Sequence, residues 1–223
     1  MRVATSILLA LIIIAAAFLT WQLVVGEEQV QLKRPFPVTP TYPDVVALVN
    51  GQPISGSTLD ILIQSGGQTP QAALDTLINE ELLYQAGERL GLLATEEEIT
   101  ASLEAEEDAR QYMTDAQEKF VEWFYGTQGI STTDLASNPR LREVTVVAVT
   151  IANVREFVAK SLAASKLTGV PVQDIETPGQ VEELMRGISD SNALVEEGEL
   201  EAAVQEFLLK EKAKADVEIL IDP

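Results

Sequence analysis

Residues 45–55 read VVALVNGQPIS and residues 70–91 read PQAALDTLINEELLYQAGERLG, and these two segments set the architecture of the domain. The first begins with a β-branched run, Val45–Val49, which is closed by Asn50-Gly51, a pair that favours a tight turn. The second opens with proline and closes with glycine, and its apolar residues recur at spacings of three and four. The sequence therefore predicts a short strand, a tight turn and a long amphipathic helix.

The rest of the domain has a mainly helical pattern. Further helices are expected after the serines of residues 55–57, after the capping box of Thr95 and Glu98, after Thr114, over residues 139–167, and around residues 178–195 and 198–214.

The helix over residues 139–167 is expected to be the central one. Its apolar residues form one seam, with others lying off it, so the helix has apolar residues on two faces. The seam consists of Val144, Val147, Ile151, Val154, Val158 and Leu162, and the residues off it are Val146, Val149 and Phe157.

The chain closes with residues 216–222, DVEILID, a period-two strand with Val217, Ile219 and Ile221 on one face. A lone strand is unstable in water, and the cost of closing the long intervening loop grows only logarithmically. We therefore expect this strand to pair with residues 45–49. The predicted fold class is mainly α: a helical bundle with a small two-stranded sheet joining the N- and C-terminal strands, plus one N-terminal transmembrane helix.

Residues 4–25 form an uncharged apolar run, and about 20 such residues span a bilayer core. Arg2 precedes the run and two glutamates follow it, so the rest of the chain should lie outside the cytoplasm. The small residues at positions 15–17 leave a cleaved signal peptide open, but the run continues to Val25 and favours an uncleaved anchor over residues 1–26.

A Pro-rich linker is expected over residues 27–43, because residues 35–43, PFPVTPTYP, hold four prolines. It would hold a single domain, residues 44–223, away from the membrane as a semi-rigid spacer.

Composition excludes several classes of protein. The chain has no cysteine and no histidine, which removes disulfides, lipoprotein anchoring, thiolate metal sites and His-dependent hydrolases. Its net charge of −20 argues against nucleic-acid binding. The acidity is typical of an exposed, soluble domain, and a second interpretation is attraction to basic, unfolded polypeptide.

The order and spacing of several motifs resemble the opening of SurA-type and PrsA-type chaperones. The matching residues near the start are Val49-Asn50-Gly51 with Ile54-Ser55, then Leu77-Ile78 with Glu81-Leu82-Leu83, Ala86 and Gly91, then Thr95 to Ile99. The tail AKADVEILI is also similar to the last strand of that family. Good matching covers about 50 residues near the start and about ten at the end, and the helices between agree in pattern only.

The resemblance implies a helical, peptide-binding chaperone module. Many family members insert a parvulin prolyl isomerase domain, which uses histidines and a Gly-Gly-x-Leu-Gly stretch. This chain has no histidine, and residues 168–214 are about half as long as such a domain and match nothing in it. We therefore expect no isomerase activity, no catalytic residue and no cofactor.

A chaperone of this kind binds unfolded clients through exposed apolar or aromatic surface. The candidate client-binding residues are Tyr112, Phe120, Trp123, Phe124 and Tyr125. Phe120 and Phe124 share a helix face, so Trp123 and Tyr125 point elsewhere and one side of the cluster could be exposed. The competing interpretation is ordinary bundle core.

A run of carboxylates, Glu104, Glu106, Glu107 and Asp108, raises the question of a metal site. It lacks the spacing and the turn glycine of an EF-hand loop, and a solvated helix face is the favoured interpretation, so no metal is expected.

Two functional hypotheses follow. The first is a membrane-anchored, extracytoplasmic chaperone that binds unfolded or exported polypeptides. The second is an envelope scaffold or adaptor that binds one folded partner. Promiscuous binding to many unfolded chains would distinguish the first from the second.

Overall fold

The computed structural model describes residues 40–127, 138–186 and 195–222. The strands in these residues are β1 (Val45–Val49), β2 (Gln52–Ser55) and β3 (Val217–Ile219). The helices are α1 (Gly56–Gly66), α2 (Pro70–Leu90), α3 (Glu96–Arg110), α4 (Asp115–Thr127), α5 (Pro139–Thr168), α6 (Pro178–Leu184) and α7 (Glu197–Lys214), with one 3₁₀ turn at Val172–Asp174.

The N-terminal segment cannot be compared with its prediction. The expected anchor, residues 1–26, and most of the expected linker lie outside the described residues. Over the part of the chain that is described, none of the helices is long and apolar enough to cross a membrane.

The two ends of the domain meet in one antiparallel sheet with the strand order β2-β1-β3. Ala47 lies opposite Ile219 and Val49 opposite Val217, which confirms the predicted pairing of the terminal strands. The prediction of two strands was wrong, because residues 52–55 form a third one, β2, in a hairpin with β1. This segment, QPIS, has no apolar alternation, and it forms a strand through the backbone pairing that the turn imposes.

Asn50 joins three elements at the turn of this hairpin. Its φ of 51° is in the left-handed region, which asparagine tolerates better than most residues. Its backbone N–H donates to the Asp216 carbonyl oxygen at 2.7 Å, and its Oδ1 accepts from the Asp216 N–H at 2.8 Å. Its Nδ2 donates to Gln85 Oε1 at 2.6 Å, and Gln85 Nε2 donates to the Val49 carbonyl oxygen at 3.0 Å. One side chain thus connects the hairpin, the start of β3 and helix α2.

The main core lies between the sheet and the helices α1, α2, α5, α6 and α7. Its fully buried side chains include Val46, Val49, Leu59, Leu74 and Val154. Helices α2 and α5 approach closely at Gly87, where an added Cβ would lie 2.4 Å from Thr150 Cγ2. A glycine is therefore required at this contact, and the spacing of the two helices depends on it.

Helix α5 confirms the prediction of a long central helix, since it packs against α2, α3, α6 and α7. The predicted seam is only partly buried. Val154 and Val158 are in the core, whereas Val144 and Val147 at its N-terminal end are exposed. Thr145 and Thr150 are buried in that half of the helix instead. The buried face rotates along α5, because different helices cover its two halves.

Helix α6 ends at Leu184, well before the predicted end near residue 195. Residues 187–194 lie outside the described set.

Helix α7 docks against α2 beside the sheet. Val204 and Leu208 enter the main core, and the buried carboxylate of Glu211 accepts from Arg89 at 2.6 Å. Lys214 also reaches Glu211, at 3.3 Å. This charge pair fixes the end of α7 next to the end of α2, and so it fixes where β3 begins.

The segment that enters the domain is held by a buried acid on α1. Asp60 is 2% exposed, and its Oδ2 accepts from the N–H groups of Thr41 at 2.9 Å and Tyr42 at 3.4 Å. The buried carboxylate thereby fixes the direction in which the chain arrives from the linker region.

Candidate functional site

The predicted aromatic residues lie in a part of the domain that we call the small lobe. The small lobe consists of α3, α4 and residues 139–149 at the start of α5. Its helices have sequence-encoded starts: Thr95 and Glu98 form the predicted capping box of α3. Asn138 caps α5, since its Oδ1 accepts from the N–H groups of Arg140 at 3.0 Å and Leu141 at 3.2 Å.

The small lobe has its own apolar core, separate from the main one. It is formed by five buried residues from three helices: Ile99, Leu103, Val121, Tyr125 and Leu141. A core of this size stabilises a lobe only modestly, so the small lobe depends on its connections to the rest of the domain.

Several of these connections are hydrogen bonds. The Ala94 N–H donates to Thr150 Oγ1 at 3.1 Å, and Asn153 Nδ2 donates to the Leu92 carbonyl oxygen at 3.3 Å. The capping residue Glu98 also accepts from Asn153, at 3.4 Å. The loop between α2 and α3 is thus fixed to the middle of α5, where the buried face of that helix changes direction.

The structure separates the five predicted binding residues. Tyr112 follows the end of α3 and is 87% exposed, so it presents a free ring. Tyr125 is 5% exposed and belongs to the small core, as the core interpretation expects for this residue. Phe120, Trp123 and Phe124 are positions of α4 whose side chains lie outside the described set.

An exposed apolar surface that the sequence analysis did not identify lies on α5. Val144 and Val147 are 39% and 36% exposed, and they lie one turn apart on the same row. Leu93 is 44% exposed, and the residue after it, Ala94, bonds to Thr150 one turn beyond Val147 on α5. We call these three residues the apolar strip.

The apolar strip is the uncovered continuation of the buried seam. Helix α7 pairs with α5 through Arg155 with Glu201 and Lys166 with Glu199, all in the second half of α5. Val144 and Val147 lie before that half, so α7 does not shield them. How much of the seam is covered depends on where α7 pairs with α5, which the periodicity of the sequence does not show.

The acidic run lies on α3. Glu104, Glu107 and Asp108 are exposed, in agreement with a solvated face. Burial raises the pKa of the Glu106 carboxyl to about 7, although the nearby Arg110 lowers it. Among the described residues, no group of three acidic side chains is close enough to hold a metal ion.

The described geometry offers an exposed apolar surface beside the small lobe, which is a means of reversible apolar binding. Comparisons of the chain with family models, with curated proteins and with solved structures find no match.

Proposed function

We propose that this protein is a membrane-anchored, extracytoplasmic chaperone that binds unfolded or exported polypeptides without catalysing a reaction. The observation that carries the proposal is the exposure of the apolar strip, Leu93, Val144 and Val147. Further along α5, Val154 and Val158 of the same seam are buried in the main core. An unfolded client offers apolar side chains that lose water on contact with such a strip.

Three further features support the proposal. The resemblance to SurA-type chaperones includes Asn50, whose bonds join the hairpin, β3 and α2. Tyr112 offers an exposed aromatic ring on the small lobe. The net charge of −20 keeps the client complex soluble and attracts basic segments of unfolded chains.

Client binding should be weak and reversible, because three exposed residues bury little area. In this arrangement Tyr112 and the apolar strip contact the client. Tyr125 contributes by holding α4 against α3. Phe120, Trp123 and Phe124 remain proposed client-binding residues from the sequence.

The test is suppression of aggregation. The full chain in lipid nanodiscs should slow the aggregation of a chemically denatured model protein after dilution. The double substitution Val144→Ser with Val147→Ser should weaken this activity at least about threefold. It should lower the thermal midpoint only modestly, because each side chain is more than a third exposed and belongs to neither buried core.

Leu209→Ser is the matched control. Leu209 is 66% exposed on α7, so the change removes a similar exposed apolar side chain from another surface. If Leu209→Ser weakens the activity as much as the double substitution does, binding is not located at the apolar strip. If the wild-type chain retains one folded envelope protein and slows no aggregation, the scaffold hypothesis replaces the chaperone.

A further inference from the structure

The outer edge of β3 has backbone groups that face away from the sheet. The Asn50 N–H donates to the Asp216 carbonyl oxygen at 2.7 Å, and the Leu220 N–H donates to the Val46 carbonyl oxygen at 2.9 Å. Successive residues of a strand direct their backbone groups to opposite sides. The N–H and C=O groups of Val217 and Ile219 therefore point away from β1, where another strand could pair with them.

The opposite edge of the sheet, formed by β2, is protected by a proline. In the β1–β2 hairpin, Ala47 pairs with Ile54 and Val49 with Gln52, which directs the backbone of Pro53 outward. Proline has no N–H, so the outer edge of β2 lacks its central donor. Protection by proline is a common defence of an edge strand, and β3 has no proline.

The edge of β3 also carries apolar side chains that the helices do not cover. Val217 and Ile219 face the same side as Val49 and Ala47, with which they pair. Ala47 and Val49 are fully buried, whereas Val217 is 37% and Ile219 46% exposed. The helix layer thus ends above β1, and an added strand could place apolar side chains next to Val217 and Ile219.

The charged residues around β3 favour one kind of binding segment. Asp216, Glu218 and Asp222 lie on or beside β3 and are exposed, and Lys214 just before the strand is paired with Glu211. Two copies joined through β3 would place these carboxylates against one another, which disfavours self-association. A segment whose apolar residues alternate with lysine or arginine would bring opposite charge to the acidic residues.

We propose that β3 binds an extended polypeptide segment with alternating apolar and basic residues, which adds to the sheet as a fourth strand. The proposal rests on the proposed client binding and names one class of client segment and the way it is held. Backbone hydrogen bonds to Val217 and Ile219 give affinity for any extended chain, and the acidic residues give the preference for basic ones.

The experiment measures binding of a fluorescent peptide of alternating valine and lysine to the full chain in zwitterionic lipid nanodiscs. The matched peptide has alternate backbone amides methylated, which removes strand pairing and keeps the side chains. We expect the methylated peptide to bind at least tenfold more weakly. On addition of the unmodified peptide, hydrogen exchange should slow at the amides of Val217 and Ile219.

The substitution Ile219→Pro tests the same strand pairing by changing the protein instead of the peptide. It removes the outward N–H of residue 219 and keeps the Leu220 bond to Val46, so the domain's own ladder is retained. We expect at least a tenfold loss of peptide affinity, with unchanged affinity for the control Ile219→Val. Glu218→Lys should weaken binding of the basic peptide and strengthen binding of a valine–glutamate peptide.

The inference is overturned if the methylated and unmodified peptides bind equally, or if a folded Ile219→Pro variant binds as wild type does. It is also overturned if the chain forms a dimer that Ile219→Pro dissociates, since the edge is then an interface between copies. If Ile219→Pro does not fold, the methylated peptide still decides the question. A different result would contradict the proposed chaperone function alone. In that case the peptide would bind at β3, but the wild-type chain would not slow aggregation.

Discussion

Replacing Asn50 by alanine is expected to lower the free energy of unfolding by about 3 kcal/mol, although the residue is on the surface. The substitution removes the bonds from the Asp216 N–H at 2.8 Å and to Gln85 at 2.6 Å. Each is worth about 1 kcal/mol or slightly less where water competes. An alanine at a φ of 51° adds about 1–2 kcal/mol of backbone strain.

Asn50→Gly separates the two causes. Glycine adopts the same φ without strain, so this variant loses the side-chain bonds and a few tenths of a kcal/mol from greater freedom of the unfolded chain, about 2 kcal/mol in all. The expected order of stability is wild type, then Asn50→Gly, then Asn50→Ala, with about 1 kcal/mol between the two variants.

The assay is thermal and urea unfolding of the full chain followed by far-ultraviolet circular dichroism. For a domain of this size about 1 kcal/mol corresponds to roughly 2–4 °C in thermal midpoint, so Asn50→Ala should melt roughly 6–12 °C lower. If both variants melt within about 1 °C of wild type, Asn50 does not join the hairpin, β3 and α2 as described. If they are equally destabilised, the backbone conformation at residue 50 contributes nothing.

Three further predictions concern β3, Glu106 and the membrane. Truncation after Ala215 removes β3 and should lower the thermal midpoint without touching a helix; an unchanged midpoint would contradict the pairing with β1. The raised folded-state pKa of Glu106, about 7 against 4.5, means that the folded protein binds more protons than the unfolded one between these pH values, so stability falls as pH rises through this window. Glu106→Gln should remove that slope and be more stable than wild type above pH 7, by at most roughly 3 kcal/mol, which thermal unfolding across pH 4–8 measures. A reporter that is active only outside the cytoplasm, fused after Pro223, should be active, and activity of a cytoplasmic reporter instead would contradict the predicted topology.

The apolar strip and the β3 edge would bind different features of an unfolded client. In these proposals, the apolar strip would bind apolar side chains whatever the backbone conformation of the client, whereas β3 would bind only an extended chain. A client held at both sites would gain affinity from the second contact without either site being strong. Substitutions at Val144 with Val147 and at Ile219 can be combined to test this, since additive losses in aggregation suppression would indicate independent contacts.

Local signals in the sequence were enough to predict most helices. The start of α3 at the Thr95–Glu98 capping box and the ends of α2 and of α5 follow from groups that lie within a few residues of each boundary. The pairing of β1 with β3 was also predictable, because two apolar strands in an otherwise helical domain have few other partners.

Long-range packing and strand pairing determined which apolar residues are exposed and where the additional strand forms. Periodicity shows which residues of α5 share a face, but it does not show how much of that face a neighbouring helix covers. The exposure of Val144 and Val147 therefore did not follow from their place in the apolar seam. Strand β2 was missed because its pairing depends on backbone hydrogen bonds, to which the side chains of QPIS give no clue. The exposure of Ile219 likewise depends on where the helix layer ends, a property of the packed helices and not of the residues in the strand.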